Sequence, residues 1–300
     1  MFTFPGQGSQ TPNMLQDIPA YVEKATEVIG VMPRDDELSL SSTLWTQIAL
    51  FLKGTAAADE LMKQGMTPHF VAGHSIGAYS AAVTAGVISF EDALRMVWRR
   101  AEWMDRAYPA GYGMGIIIGL TKEEVERIVA HSYSDESPVY RSNVNGELQI
   151  ALSGSVEGIS RAFELSKQRG ASKAIHLKVP VPSHSPLMEG LTSELFGMLE
   201  SIPLQDAKMT YLLNHTGRPT RSKQKIAEDL AVNAVYPVCW HDMTTVSAES
   251  GADCFVEMPP GHTLTGLLKQ AHPCLRGIAV DETGMEGALY LIRKWEAQAE

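Results

Sequence analysis

The sequence predicts an α/β protein in which a large domain carries a small inserted one. Two observations predict it. Short apolar runs at 70–72, 254–257 and 276–279 alternate with amphipathic stretches of helical period. Between about 112 and 179 the order changes to strand, helix, two strands, helix, strand, the β-α-β-β-α-β unit. The expected division is a large domain over 1–111 and 180–300, and a subdomain over 112–179.

Composition bounds the function. The chain has 300 residues, 44% hydrophobic and 20% charged, as ordinary globular proteins do. A net charge of −10 argues against nucleic acid as a main partner. No apolar run approaches the ~20 residues of a membrane span. Met1-Phe2-Thr3-Phe4-Pro5 reads as a strand, not a secretory signal. Three cysteines without CxxC spacing make a disulfide framework or a zinc site unexpected, and a cytoplasmic setting is the default. No His, Cys, Asp or Glu spacing resembles a metal site, so no metal and no cofactor is expected.

In chain order, a strand at 2–4 ends in the glycine-rich loop Pro5-Gly6-Gln7-Gly8-Ser9-Gln10, which reads either as a plain turn or as backbone shaped to approach a ligand. A short helix covers 21–30 and a polar connection 33–42. Leu44, Ile48, Leu52, Ala56 and Leu61 recur at helical spacing from 42 to 64, with Ser41 or Ser42 as cap. After the elbow helix, stopped by Gly86, Ser89 caps a helix reaching about Tyr108. In the insert, Gly113–Leu120 (GMGIIIGL) is a strand, Thr121 and Glu124 form a capping box, and Asn145-Gly146 is expected to turn a hairpin between strands at 138–144 and 147–153. A helix at 155–169 and a strand at 174–179 complete it. Helices at 187–200, 224–234, 241–250, 263–271 and 285–298 alternate with strands at 209–214, 254–257 and 276–279 in the remainder. The basic stretch Arg218, Arg221, Lys223 and Lys225 reads as a solvated loop or a docking surface.

Three places carry candidate chemistry. Gly73-His74-Ser75-Ile76-Gly77 lies between an apolar strand and a helix of small residues, the setting of a G-x-S-x-G nucleophile elbow. The glycines permit the turn, Ser75 projects past the strand end, and the Ile76 N–H is placed to face a developing oxyanion. Arg100 shares its helical stripe with Ala93, Met96 and Met104, whereas Arg99 shares one with Arg95, Glu102 and Arg106. Arg100 therefore either snorkels from an apolar face or points inward at an anion, for which a guanidinium suits a carboxylate. His184, among Pro180, Pro182 and Pro186, is either a satisfied loop histidine or a base held still.

Taken together, Phe4-Pro5-Gly6-Gln7-Gly8-Ser9-Gln10, Gly73-His74-Ser75-Ile76-Gly77, Arg100, Val181-Pro182-Ser183-His184 and Pro260-Gly261-His262-Thr263-Leu264-Thr265 resemble the malonyl-CoA:acyl-carrier-protein transacylases over nearly the whole chain. Within that family, the 107–114 segment, Trp240-His241-Asp242 and Val256-Glu257-Met258-Pro259-Pro260-Gly261-His262 look most like the epsilon subunit of bacterial malonate decarboxylase. The resemblance implies an α/β-hydrolase-like large domain with a ferredoxin-like small one and a site between them. It implies that Ser75 is the nucleophile, His184 its base and Arg100 the anchor of the malonyl carboxylate. The backbone N–H groups of Gln7 and Ile76 would form the oxyanion hole. A backbone carbonyl would orient the histidine, and the matching position is Asn233, where many relatives have Gln; Ala78 stands where many fatty-acid-synthesis relatives carry Glu. The implied partners are malonyl-CoA, an acyl carrier protein and, in the decarboxylase setting, that complex's other subunits, the carrier there bearing a dephospho-CoA derivative. A fatty-acid-synthesis transacylase is the near alternative. A serine esterase fits less well, because its histidine would follow an acid near the end of the chain and Arg100 would have no role. A non-catalytic scaffold is disfavoured by the intact Ser75, His184 and Arg100 set. Arg161, Lys167 and Arg169, with the 218–225 stretch, are candidates for meeting an acidic carrier.

Overall fold

Strand β1 (Phe2–Phe4) is wholly buried and runs down the middle of a six-stranded sheet. The computed structural model describes residues 1–108 and 110–298; Pro109, within the 107–114 segment, lies outside the described residues. After α1 (Pro19–Ile29), the long α2 (Thr43–Lys63) starts at Ser42, whose hydroxyl accepts from the Leu44 N–H. The Asp105 carboxylate also holds that start, accepting from the Ser42 hydroxyl at 2.6 Å and the Thr43 N–H at 2.9 Å. An acid at a helix N-terminus satisfies donors that the helix itself leaves open. Strand β2 (Phe70–Gly73) pairs parallel to β1, with Phe4 opposite Gly73, and leads into α3 (Gly77–Thr84). Helix α4 (Phe90–Ala107), capped by Ser89, packs against α2.

The inserted sheet follows: β3 (Tyr112–Ile118), α5 (Lys122–Ser132), β4 (Val139–Gly146), β5 (Gln149–Ser155), α6 (Val156–Gln168) and β6 (Lys173–His176). All its pairings are antiparallel and the order is β4-β5-β3-β6, the ferredoxin-like arrangement. Ile117, Val125, Ile128, Val139, Ile150, Leu152, Ile159 and Phe163 form a separate small core. Its turns correct two expectations. The hairpin turns at Glu147 and Leu148, with Gly146 opposite Gln149, so Asn145-Gly146 is the end of β4 and not the turn. Two register shifts in β4 displace the turn, and the Asn145 side chain is engaged elsewhere, 3.0 Å from the His74 ring. The last strand stops at His176, ahead of Pro180 and Pro182, which have no N–H to continue a ladder.

The remaining elements are α7 (Glu189–Ser201), β7 (Thr210–Leu212), the short β8 (Pro219–Thr220), α8 (Lys223–Val232), α9 (Trp240–Glu249), β9 (Cys254–Glu257), α10 (Thr263–Ala271), β10 (Arg276–Ala279) and α11 (Val280–Glu296). They complete the order β10-β9-β1-β2-β7-β8, parallel except for β8. Within α11, Gly284 leaves helical space at φ 69° and ψ 167°, so a short first turn over 280–283, favoured by Asp281 and Glu282, precedes the helix expected from 285. Within β9, the Glu257 carboxylate is buried and accepts from the N–H groups of Leu264 and Thr265, fixing α10 against the sheet. The Pro260–Thr265 motif is thereby given a structural part. Among the described residues, no helix is long and apolar enough to cross a membrane.

In this topology the carboxyl ends of β1, β2 and β7 are neighbours. Open α/β sheets bind ligands at such ends.

Candidate active site

The elbow is set by steric contact. A β-carbon on Gly73 would lie 1.9 Å from the Gly77 carbonyl carbon, and one on Gly77 would lie 2.3 Å from the Phe4 carbonyl oxygen. Only glycine allows β2, α3 and the end of β1 to meet this closely. Ser75 takes a left-handed conformation, φ 55°, which non-glycine residues adopt rarely and often at functional sites. Around it the His74 N–H donates to the Phe4 carbonyl at 2.8 Å and the Gly77 N–H to the His74 carbonyl at 3.0 Å. The Ser75 N–H donates to Asn214 Oδ1 at 3.0 Å. Among the described residues, the N–H groups of Ile76 and of Gln7, in the loop after β1, meet no hydrogen-bond acceptor of the chain.

His184 arrives from the 179–186 loop, whose residues 181–185 are buried although the loop has no regular structure. It too is left-handed, φ 63°. Its N–H donates to the Ala234 carbonyl at 2.6 Å, and the Ser142 hydroxyl of β4 donates to the Ser183 carbonyl at 3.3 Å. These contacts bring His184 Nε2 to 2.7 Å from Ser75 Oγ. Nδ1 lies 3.1 Å from the Tyr236 carbonyl. That contact fixes the tautomer: Nδ1 carries the proton and Nε2 is free to accept the serine's. The ring is thus hydrogen-bonded to the Tyr236 carbonyl, a partner in addition to the expected Asn233. The chain leaves α8 at Val232 and wraps residues 233–236 around the imidazole, and the Asn233 carbonyl faces the ring as well. Burial first, then the Arg100 charge and His74, push the His184 pKa down to about 3, so the imidazole is neutral at physiological pH.

Arg100 points inward. Its side chain is buried, and every partner is neutral: Nη1 donates to Gln47 Oε1, and Nη2 to Asn233 Oδ1 at 3.1 Å and to Ser75 Oγ at 3.2 Å. Nε is buried without a partner among the described residues. No carboxylate among the described residues pairs with it, while its neighbour Arg99 pairs at the surface with Glu102 and Glu194. Leaving a buried charge uncompensated costs on the order of 3–5 kcal/mol. Burial accordingly holds the guanidinium pKa below its usual range.

Three participants had not been singled out. Gln47 is fully buried on α2 and links Arg100 to the Gln7 side chain, 3.2 Å from its Nε2. An amide three residues after Leu44 and four before Phe51, on an apolar stripe, is the signal that marks it. Asn214 and the Tyr236 carbonyl act through positions at a strand end and in a loop, for which sequence offers no periodicity. The basic docking candidates divide: Arg161 is spent on the Ser132 and Ser137 carbonyls, at 2.7 and 2.9 Å, and Lys167 pairs with Glu164.

A hydroxyl bonded to a neutral imidazole, beside two free N–H groups and a buried unpaired cation, can add to a carbonyl whose far end carries an anion. The acyl transferase domain family matches residues 23–281. The malonyl CoA-acyl carrier protein transacylase of Bacillus subtilis (strain 168) is 33% identical over 294 residues, 94% of this chain and 93% of that protein. The solved malonyl CoA-acyl carrier protein transacylase from Coxiella burnetii superposes with a TM-score of 0.91 at 30% identity, covering 97% of this chain and 96% of the other. A malonyl-transacylase solved in complex with a type II PKS acyl-carrier protein superposes with a TM-score of 0.88 at 33% identity, covering 93% and 95%. The chain belongs to the acyl transferase family, among the malonyl-CoA:acyl-carrier-protein transacylases.

Proposed function

We propose that this protein moves a malonyl group from malonyl-CoA to the phosphopantetheine-type thiol of an acyl carrier protein through a Ser75 ester. The carrying observation is Arg100, a buried cation without an acid partner, 3.2 Å from the serine hydroxyl. His184 Nε2 takes the Ser75 proton as Oγ adds to the thioester carbonyl, and the oxyanion lies against the N–H groups of Gln7 and Ile76. Collapse expels the CoA thiolate, which takes that proton from His184. The carrier thiol then gives its proton to the same nitrogen, adds to the ester, and Ser75 leaves reprotonated. Thioester, ester and thioester are close in energy, so the positioned base and oxyanion donors suffice. Throughout, Arg100 holds the malonyl carboxylate, as a guanidinium fork fits it. The Asn233 side chain, accepting from Arg100, aims the fork.

The same reading divides the chain into 1–111 with 180–300 and an insert over 112–179, supported by the insert's own sheet and core. It also places the protein in the cytoplasm, where CoA thioesters are found, and within malonate decarboxylase, on the strength of the Trp240–Asp242 and 256–262 segments.

Intact-mass spectrometry after mixing with malonyl-CoA, beside acetyl-CoA and beside Arg100→Ala, tests the reading. The expected result is a malonyl adduct on Ser75, weak with acetyl-CoA. In the arginine variant the preference for malonyl over acetyl falls by about two to four decades, from the ~3–5 kcal/mol of an unpaired buried charge. An unmodified wild-type protein with both thioesters refutes it. Transfer to the decarboxylase carrier and to a fatty-acid-synthesis carrier, compared by kcat/KM, decides the setting.

A further inference from the structure

We propose that Asn214 is a positioning residue for this reaction: its side-chain carbonyl holds the Ser75 backbone in the conformation from which the hydroxyl reacts. The inference rests on Ser75 as the nucleophile. Three successive N–H groups, of Ser75, Ile76 and Gly77, emerge at the elbow. Gly77's is taken by the His74 carbonyl at 3.0 Å and Ser75's by Asn214 Oδ1 at 3.0 Å, so the Ile76 N–H alone is left for chemistry. Asn214 thereby separates two adjacent donors, one for holding the nucleophile and one for the oxyanion. Without it, the Ser75 N–H is free to compete for the same incoming oxygen or to pull the residue out of its left-handed conformation.

The side chain is built for that one contact. Asn214 lies just past the end of β7, the parallel neighbour of β2, and is 1% exposed. Its backbone is fixed at both ends: its N–H donates to Asp229 Oδ2 at 3.0 Å and its carbonyl accepts from the Cys239 N–H at 2.7 Å. Asp229 is itself fully buried and also binds the His215 ring at 2.6 Å and the Tyr211 hydroxyl at 3.4 Å. The Ser75 N–H is a donor, so the atom facing it must be oxygen. Nδ2 then points the other way, buried with no partner among the described residues. An amide is thus retained for its acceptor although its donor goes unmet.

The test uses the full chain with Asn214→Ala and Asn214→Asp; the aspartate keeps an acceptor oxygen at the same place whether or not it is ionised. Rates of Ser75 acylation by malonyl-CoA are measured by quenched mass spectrometry, corrected for the folded fraction, with unfolding midpoints alongside. The alanine variant is expected to acylate about 10–100-fold more slowly at saturation, as misplacement of a reacting group by ~1 Å would cause, with half-saturation moved less than about twofold. The aspartate variant is expected to regain most of the rate. Should Asn214→Ala fail to fold, the comparison of Asn214→Asp with Asn214→Leu carries the same test. Equal rates per folded molecule for wild type and Asn214→Ala overturn the inference and leave Ser75 as nucleophile, as does an aspartate variant no faster than the alanine one. A wild type that forms no Ser75 adduct overturns both.

Discussion

Ser75 and His184 both occupy the left-handed region of backbone space, at φ 55° and 63°, and meet at 2.7 Å, yet different kinds of force hold them there. The tightness of the elbow comes from what sits beside it in sequence, with Phe4 and Asn214 as its distant contacts. Gly73 and Gly77 let strand, turn and helix close to distances no β-carbon tolerates, and that closure makes room for the serine conformation. The histidine loop has no such local device. Its conformation is imposed by Ala234 and Tyr236 beyond α8 and by Ser142 of the inserted sheet. A pair 2.7 Å apart can thus combine one member whose turn is marked in five consecutive residues with one placed only when distant segments have assembled.

That contrast is open to direct attack. Gly77→Ala puts a methyl 2.3 Å from the Phe4 carbonyl, between backbones that cannot yield separately. It should cost about 4 kcal/mol or more, the range of severe overpacking, read from denaturant unfolding. A milder loss would mean that the elbow has slack. His184→Ala should leave a folded protein whose acylation by malonyl-CoA is slowed by about 10³-fold, within the usual worth of a general base, measured by adduct formation over time.

The pH dependence is smaller and more specific. Burial, then Arg100 and His74, hold His184 at about 3, below its ordinary ~6.5. Between those values the unfolded chain binds a proton that the folded one refuses, so stability falls as pH falls through that window. The base form, by contrast, persists across it. The kcat/KM for acylation should therefore stay flat from pH 8 to 5, where a histidine of ordinary pKa would have lost about 30-fold. A break near 6.5 in that profile would show that the loop does not bury the ring as described. The smallest effect belongs to Ser142→Ala, which removes one tether of the loop and should lower stability by about 1 kcal/mol, seen as a shifted unfolding midpoint.

The same contrast explains what could be read in advance. Elements bounded by local signals came through: β9, α10 and β10 occupy the residues their apolar runs and turn residues mark, and the Thr121 capping box forms with Glu124. The hairpin failed because Asn145, a turn former by propensity, lies beside His74 of the elbow, and a tertiary contact outweighs a local preference. In the site, Ser75 is legible from its glycines, and the stripe separates Arg100 from Arg99. The Tyr236 carbonyl and the Asn214 amide are not legible, because the atoms that act belong to residues chosen by topology and not by side-chain pattern.

The hydrogen bond from Arg100 to Ser75 Oγ bears on the reactivity of the hydroxyl. A hydroxyl whose proton faces His184 needs a lone pair for attack, and the guanidinium, 3.2 Å away, draws on that same electron density. On the proposed reading, the residue that anchors the malonyl carboxylate therefore also damps the serine hydroxyl. A carboxylate paired with the guanidinium would draw it from Ser75 Oγ and offset the charge that, after burial, helps to lower the His184 pKa. On that reading, preference for a carboxylate-bearing thioester rests on the reactivity of the serine as well as on how tightly the substrate is held.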